Sequence, residues 1–95
     1  MIQHTVTFRF AEDAQVDAFW TRVDELREIP GVQRFAVLRQ VGSKNDFTHG
    51  LSMYFESDVE YAAYNDHPVH VAFVAEAWLP NVADFLELDY VVDDR

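Results

Sequence analysis

From Ile2 to Phe10 the chain alternates in polarity. Ile2, His4, Val6, Phe8 and Phe10 stand at even positions and Gln3, Thr5, Thr7 and Arg9 at odd ones. A period of two predicts a strand whose even side chains share one apolar face. Between Asp13 and Ile29 the period lengthens: Val16, Phe19, Trp20, Val23 and Leu26 recur at steps of three and four, while Asp17, Arg22, Asp24 and Glu25 fall on other faces. That spacing predicts an amphipathic helix. Pro30-Gly31 stops it, because proline disfavours helical geometry in the residue before it and glycine accepts positive φ.

Val32 to Val41, rich in Val, Leu and Phe, reads as a second strand with a less regular alternation. The polar cluster Gly42-Ser43-Lys44-Asn45-Asp46 predicts a hairpin turn into a third strand over Phe47 to Glu56. In that strand Phe47, His49, Leu51, Met53 and Phe55 share one face. Ser57-Asp58-Val59-Glu60 has capping-box spacing and starts a helix ending near Tyr64. Pro68 restarts a helix in its favoured first position with His67 as the cap, and Pro80 ends or kinks it. Phe85 to Val92 is the final strand, followed by Asp93-Asp94-Arg95.

The order strand, helix, strand, strand, helix pair, strand predicts an α+β fold: a split βαβ antiparallel sheet with helices on one face. One domain spans residues 1–95. In that topology the first and third strands are central neighbours, so His4 and His49 both project toward the helices. The other face, with Gln3, Thr5, Thr7, Thr48, Ser52 and Tyr54, is left for water or a partner.

Composition narrows the function classes. A chain with 49% hydrophobic and 15% aromatic residues folds rather than staying disordered. Seventeen acidic against seven basic side chains give a formal charge of −10, which repels a phosphate backbone and argues against nucleic acid as a partner. There is no apolar stretch near the roughly 20 residues of a membrane span, and no signal-peptide pattern at the start. With no cysteine, disulfides, thiolate metal sites and cysteine nucleophiles are excluded, and a reducing cytoplasm is the expected location.

The candidate chemistry lies in the histidines. His70 falls in the first turn of a helix, where the positive end of the macrodipole favours a neutral ring able to take a proton. Tyr64, six residues earlier, can donate its phenol to an oxygen that becomes negative in a transition state. The bland alternative has His70 capping or packing, Tyr64 as a core aromatic, and His4 and His49 as hydrogen-bonded core residues. His67 and His70, three apart across a proline and unassisted by cysteine, do not make a metal-site spacing, so no metal is expected. The carboxylates Asp84, Glu87, Asp89, Asp93 and Asp94 read as a solvated face. No glycine-rich phosphate loop exists, and Phe19, Trp20 and Trp78 read as core.

Several runs together resemble one family: His4-x-Val6-x-Phe8, Ile29-Pro30-Gly31-Val32, Phe47-Thr48-His49-Gly50, Phe55-Glu56-Ser57, Tyr61-x-x-Tyr64-x-x-His67-Pro68-x-His70 and Phe85-x-x-x-Asp89-Tyr90. This is the stress-responsive A/B barrel (Dabb) domain family, and the resemblance spans nearly the whole chain. It implies a ferredoxin-like fold that pairs face to face into a homodimeric α+β barrel without a cofactor. The chain also resembles a polyketide-cyclising plant member of that family. That likeness implies His70 as catalytic base, Tyr64 as its phenol partner and His4 and His49 as further pocket groups; in the leading functional reading His67 joins His4 and His49 as groups that position the substrate. The expected reaction is proton abstraction next to a carbonyl, on a small hydrophobic or polyketide-like ligand. Two other readings stand beside it: a noncatalytic stress-associated or ligand-binding dimer, and a cofactor-free monooxygenase of a related barrel type.

Overall fold

A computed structural model of the chain describes residues 1–95. In chain order the elements are β1 (Ile2–Phe10), α1 (Val16–Leu26), β2 (Gln33–Arg39), β3 (His49–Phe55), α2 (Asp58–Asp66), α3 (Pro68–Phe73), a π-helical turn (Val74–Trp78), α4 (Leu79–Asn81) and β4 (Val82–Tyr90). The four strands form one sheet in the order β2-β3-β1-β4, with every neighbour antiparallel. This is the ferredoxin-like split βαβ arrangement that the element order predicts.

The even face of β1 is the buried one. Val6 and Phe8 join Leu51, Met53 and Phe55 of β3, Phe19, Val23 and Leu26 of α1, and Phe73 and Trp78 in one core beneath the helices. Phe8, with no exposed surface, sits at the centre of an aromatic cluster. Its ring lies 5.6 Å from Phe19 and 5.0 Å from Trp78. No helix is long and apolar enough to cross a membrane.

Local departures from the pattern have identifiable causes. β2 is irregular because Arg34 takes a φ of 51° and the β2–β3 register shifts between Gln33 and Ala36. That bulge breaks the alternation of the second strand. The first helix begins at Val16 rather than near Asp13 because a residue far along the chain starts it: the buried Asn81 side chain accepts the Gln15 amide at 2.8 Å and donates to the Ala77 carbonyl at 2.8 Å. The last helix ends at Asn81, one residue after Pro80, in keeping with the expected stop. Pro80 follows the π turn, in which the Leu79 amide donates to the Val74 carbonyl. That wider turn relieves the clash between a proline ring and the preceding turn's carbonyl. β4 therefore starts at Val82, three residues before the expected Phe85. Gly31, at φ 92°, makes the turn out of α1 that a residue with a Cβ would strain.

Candidate active site

A cavity of about 170 Å³ lies between the sheet and the helices. His4 and Val6 of β1, Tyr64 of α2, His70 of α3 and Phe85 and Glu87 of β4 face it, and ten of its fourteen lining residues are hydrophobic. A mostly apolar hollow with a few converging polar groups is the usual form of a small-molecule site.

Each polar group is fixed by local structure. The Ser57 side chain caps α2, accepting the Glu60 amide at 3.4 Å, and Tyr64 comes to the sheet-facing side near the helix end. The residue is only 2% exposed, packed with its ring centroid 5.0 Å from that of Phe55. Its hydroxyl bonds no protein group, yet no fully buried side-chain oxygen or nitrogen lacks a partner. The hydroxyl therefore opens into the cavity. Burial, reinforced by the negative charge available to Tyr61 and Glu87, pushes its pKa well up, so the phenol stays a donor across the neutral range.

Pro68 starts α3 and His67 caps it, its Nδ1 accepting the Val69 amide at 3.1 Å. His70 follows one turn in, and its ring centroid lies 4.5 Å from that of Tyr64. Its Nδ1 donates to the Asn65 carbonyl at 3.0 Å. A carbonyl can only accept, so the proton of the neutral ring sits on Nδ1 and the lone pair on Nε2. Burial lowers the His70 pKa, an effect opposed by the Asn65 hydrogen bond, aided by His4 and opposed by Glu87. The shift favours the neutral form, in the direction expected from sequence, with desolvation as its main cause.

His4 is held by a second fixed geometry. Its Nδ1 lies 2.6 Å from Oδ1 of Asp89, and the Tyr61 hydroxyl sits 2.9 Å from the same nitrogen while donating to Asp89 at 3.0 Å. The carboxylate accepts from the imidazole Nδ1–H, which again leaves Nε2 as the free nitrogen. The His4 ring is 6.4 Å from that of Tyr64, so both imidazoles lie near the Tyr64 ring and all three residues line the cavity.

The other two histidines lie elsewhere. His49 pairs across the sheet with Phe8, four residues along β1 from His4. At the rise of a strand that is about 13 Å away. Its ring packs 5.5 Å from Phe10 and 5.4 Å from Trp20, and burial followed by the Arg39 charge lowers its pKa. His67 is the α3 cap, and neither His49 nor His67 lines the cavity. No three His, Cys, Asp or Glu side chains stand together in metal-binding geometry.

Two residues read from sequence as part of a solvated acidic face are exposed, and they also serve the site: Glu87 borders the cavity and Asp89 holds His4. The β1–β4 register sets Glu87 opposite Val6 and Asp89 opposite His4, which turns both carboxylates to the helix side of the sheet. Period two alone did not carry that signal, since the alternate residues Leu86, Leu88 and Tyr90 are the more apolar set; the pairing with β1 fixes the face. Tyr61 is the third contributor missed as a site residue, positioned by stacking 5.0 Å from Phe55.

A four-stranded antiparallel sheet with a largely apolar hollow beneath its helices, into which histidine and tyrosine side chains converge, defines the protein as a ferredoxin-like α+β domain. The family model of the stress responsive A/B barrel domain (Dabb) matches residues 2–92, and the chain belongs to this family. It is 33% identical over 95 residues to the stress-response A/B barrel domain-containing protein At5g22580 of Arabidopsis thaliana, covering 95% of this chain and 85% of that protein. To a second, longer stress-response A/B barrel domain-containing protein of the same plant it is 29% identical over 98 residues, covering 98% of this chain but only 37% of the plant protein. Among solved structures, a Dabb family protein with a ferredoxin-like fold from Mesorhizobium loti superposes with a TM-score of 0.89 at 43% identity, covering 96% of this chain and 95% of that one. A hydroxynitrile lyase from Passiflora edulis shares the fold, with a TM-score of 0.87 at 19% identity over 99% of this chain and 94% of the lyase.

Proposed function

We propose that the cavity binds a small carbonyl compound and removes a proton from the carbon next to the carbonyl, as a cyclase or isomerase does. His70 is the base. Its Nε2 takes the proton as the C–H bond breaks, and the released electron pair forms the carbon–carbon double bond of an enolate. The Tyr64 hydroxyl donates to the oxygen on which negative charge develops. In a cyclising substrate the enolate carbon then attacks a second carbonyl of the same chain, whose π pair moves to its oxygen as that oxygen takes the proton held by His70; in an isomerisation His70 returns the proton to another carbon. Both outcomes move only a proton and an electron pair, so the step calls for no cofactor. His4, set by Asp89 and Tyr61, orients the substrate near Tyr64.

The observation that carries this reading is the Tyr64 hydroxyl. It sits on a residue 2% exposed and has no protein partner, beside a histidine whose Nδ1 hydrogen bond leaves Nε2 unprotonated. A group that only packed would find a partner within the core. The fold shared with a lyase is consistent with proton-transfer chemistry on such a scaffold.

The working unit is a homodimer. Leu86, Leu88 and Tyr90 of β4 and Leu38 of β2 lie on the sheet face without helices, each between 43% and 50% exposed. Apolar side chains gathered on one open sheet face mark an association surface. A relative in fold from Thermobifida fusca, 24% identical, is described as a dimeric ferredoxin-like protein. The absence of cysteine supports a reducing compartment such as the cytoplasm. Turnover of β-polyketo substrates tests the roles: activity that is lost in His70→Ala and reduced in Tyr64→Phe supports them, and activity unchanged in both overturns them.

A further inference from the structure

We propose that the cavity selects uncharged or cationic carbonyl ligands against anionic ones, and that Glu87 sets this preference. The inference rests on the reading of the cavity as a ligand site.

Glu87 is the one formally charged side chain lining the cavity, and no lysine or arginine lines it. Its place opposite Val6 holds it on the helix side of β4. It makes no ion pair within the chain and is exposed, so water rather than a protein cation offsets its charge. Asp89, two residues on along the same face, adds a second negative charge, shared with His4 and Tyr61. His70 offers no counter-charge, since burial favours its neutral form. The influence of Glu87 reaches the site itself, raising the pKa of both Tyr64 and His70.

A carboxylate or phosphate entering this space would give up hydration and meet the Glu87 carboxylate at the exposed edge of the cavity, with the Tyr64 hydroxyl but no cation to receive it, whereas an ammonium group would pair with Glu87. The remaining lining is largely apolar and suits a short hydrocarbon frame. The selection thus works by repulsion of the wrong ligand as much as by attraction of the right one. The chain's formal charge of −10 acts in the same direction at longer range.

The test uses three cyclohexanones that differ only in the substituent at carbon 3: methyl, aminomethyl and carboxylate. Their binding to the intact protein is followed by protein-observed NMR at low salt. The expected order is ammonium tightest and carboxylate weakest, with about tenfold or more between them. In Glu87→Gln that spread contracts to about threefold, and in the unaltered protein it contracts as salt is raised to about 1 M, where the Debye length is near 3 Å. The salt series keeps the test valid if the variant folds poorly. A carboxylate that binds as well as the methyl ketone, or an order that survives both Glu87→Gln and high salt, overturns the charge selection and leaves the cavity reading intact. If none of the three binds, the cavity reading fails and the selection falls with it.

Discussion

Nδ1 of His4 on β1 lies 2.6 Å from Oδ1 of Asp89 on β4, joining residues 85 positions apart through the register of two neighbouring strands. The pairing fixes the imidazole proton on Nδ1 and frees Nε2. Long-range proton–nitrogen NMR of the folded protein should show a proton on Nδ1 of His4, held by the Asp89 carboxylate. In Asp89→Ala the same spectrum should show a mixture of tautomers, because the acceptor that selects one is gone.

Tyr64→Phe removes a hydroxyl that no protein group uses. Its unfolding free energy, from denaturant titration, should stay within about 1 kcal/mol of the unaltered protein. Proton-transfer activity should fall by about 10²–10³-fold, the usual effect of deleting one donor to a developing oxyanion. A packing-only tyrosine would leave no such difference between stability and rate.

His70 makes stability and activity depend on pH in the same sense. Its folded pKa is lowered by burial, so the unfolded chain binds the proton more readily. The stability it contributes is fully present above about pH 6.5, the ordinary histidine value, and is lost as pH falls through the lower folded value. Denaturation series run from pH 7.5 to 5 should show a steeper loss for the unaltered protein than for His70→Gln. The acid limb of kcat/KM should lie below pH 6.5, where neutral His70 becomes scarce.

The two histidines outside the cavity should behave as structural groups. His67→Ala should cost about 1 kcal/mol through the lost α3 cap and leave turnover unchanged. Phe8→Ala, at the centre of the aromatic cluster, should cost about 3–5 kcal/mol in the same unfolding assay. On the open sheet face, Leu88→Glu sets charge where a second copy would pack. Sedimentation should then report one chain rather than two, with circular dichroism unchanged.

Most of the fold was legible because β1, α1 and β3 carry strong periodicities and because Pro30-Gly31, Ser57 and Pro68 act at their own positions. What was hidden depended on distant partners. Asn81 caps the start of α1 from the other end of the chain, and the Arg34 bulge is a pairing irregularity that no local preference records. Within the site, Tyr64 and His70 could be paired from sequence because six residues and one turn separate them. Periodicity gave the face on which His49 lies but not its distance from His4 along the sheet, so the expected convergence of all four imidazoles reduces to His4 and His70. Glu87 and Asp89 are exposed, as a solvated face requires; what pattern alone did not show is that strand register, a tertiary property, sets them on the helix side of β4, beside the cavity and His4.

Exchange of the α-protons of cyclohexanone for deuterium in D2O, followed by proton NMR near neutral pH, isolates the single step assigned to this cavity. The unaltered protein should accelerate exchange above the buffer rate, His70→Ala should return it to that rate, and Tyr64→Phe should lie between the two. Exchange at the buffer rate in the unaltered protein, or acceleration that persists in His70→Ala, would contradict the account.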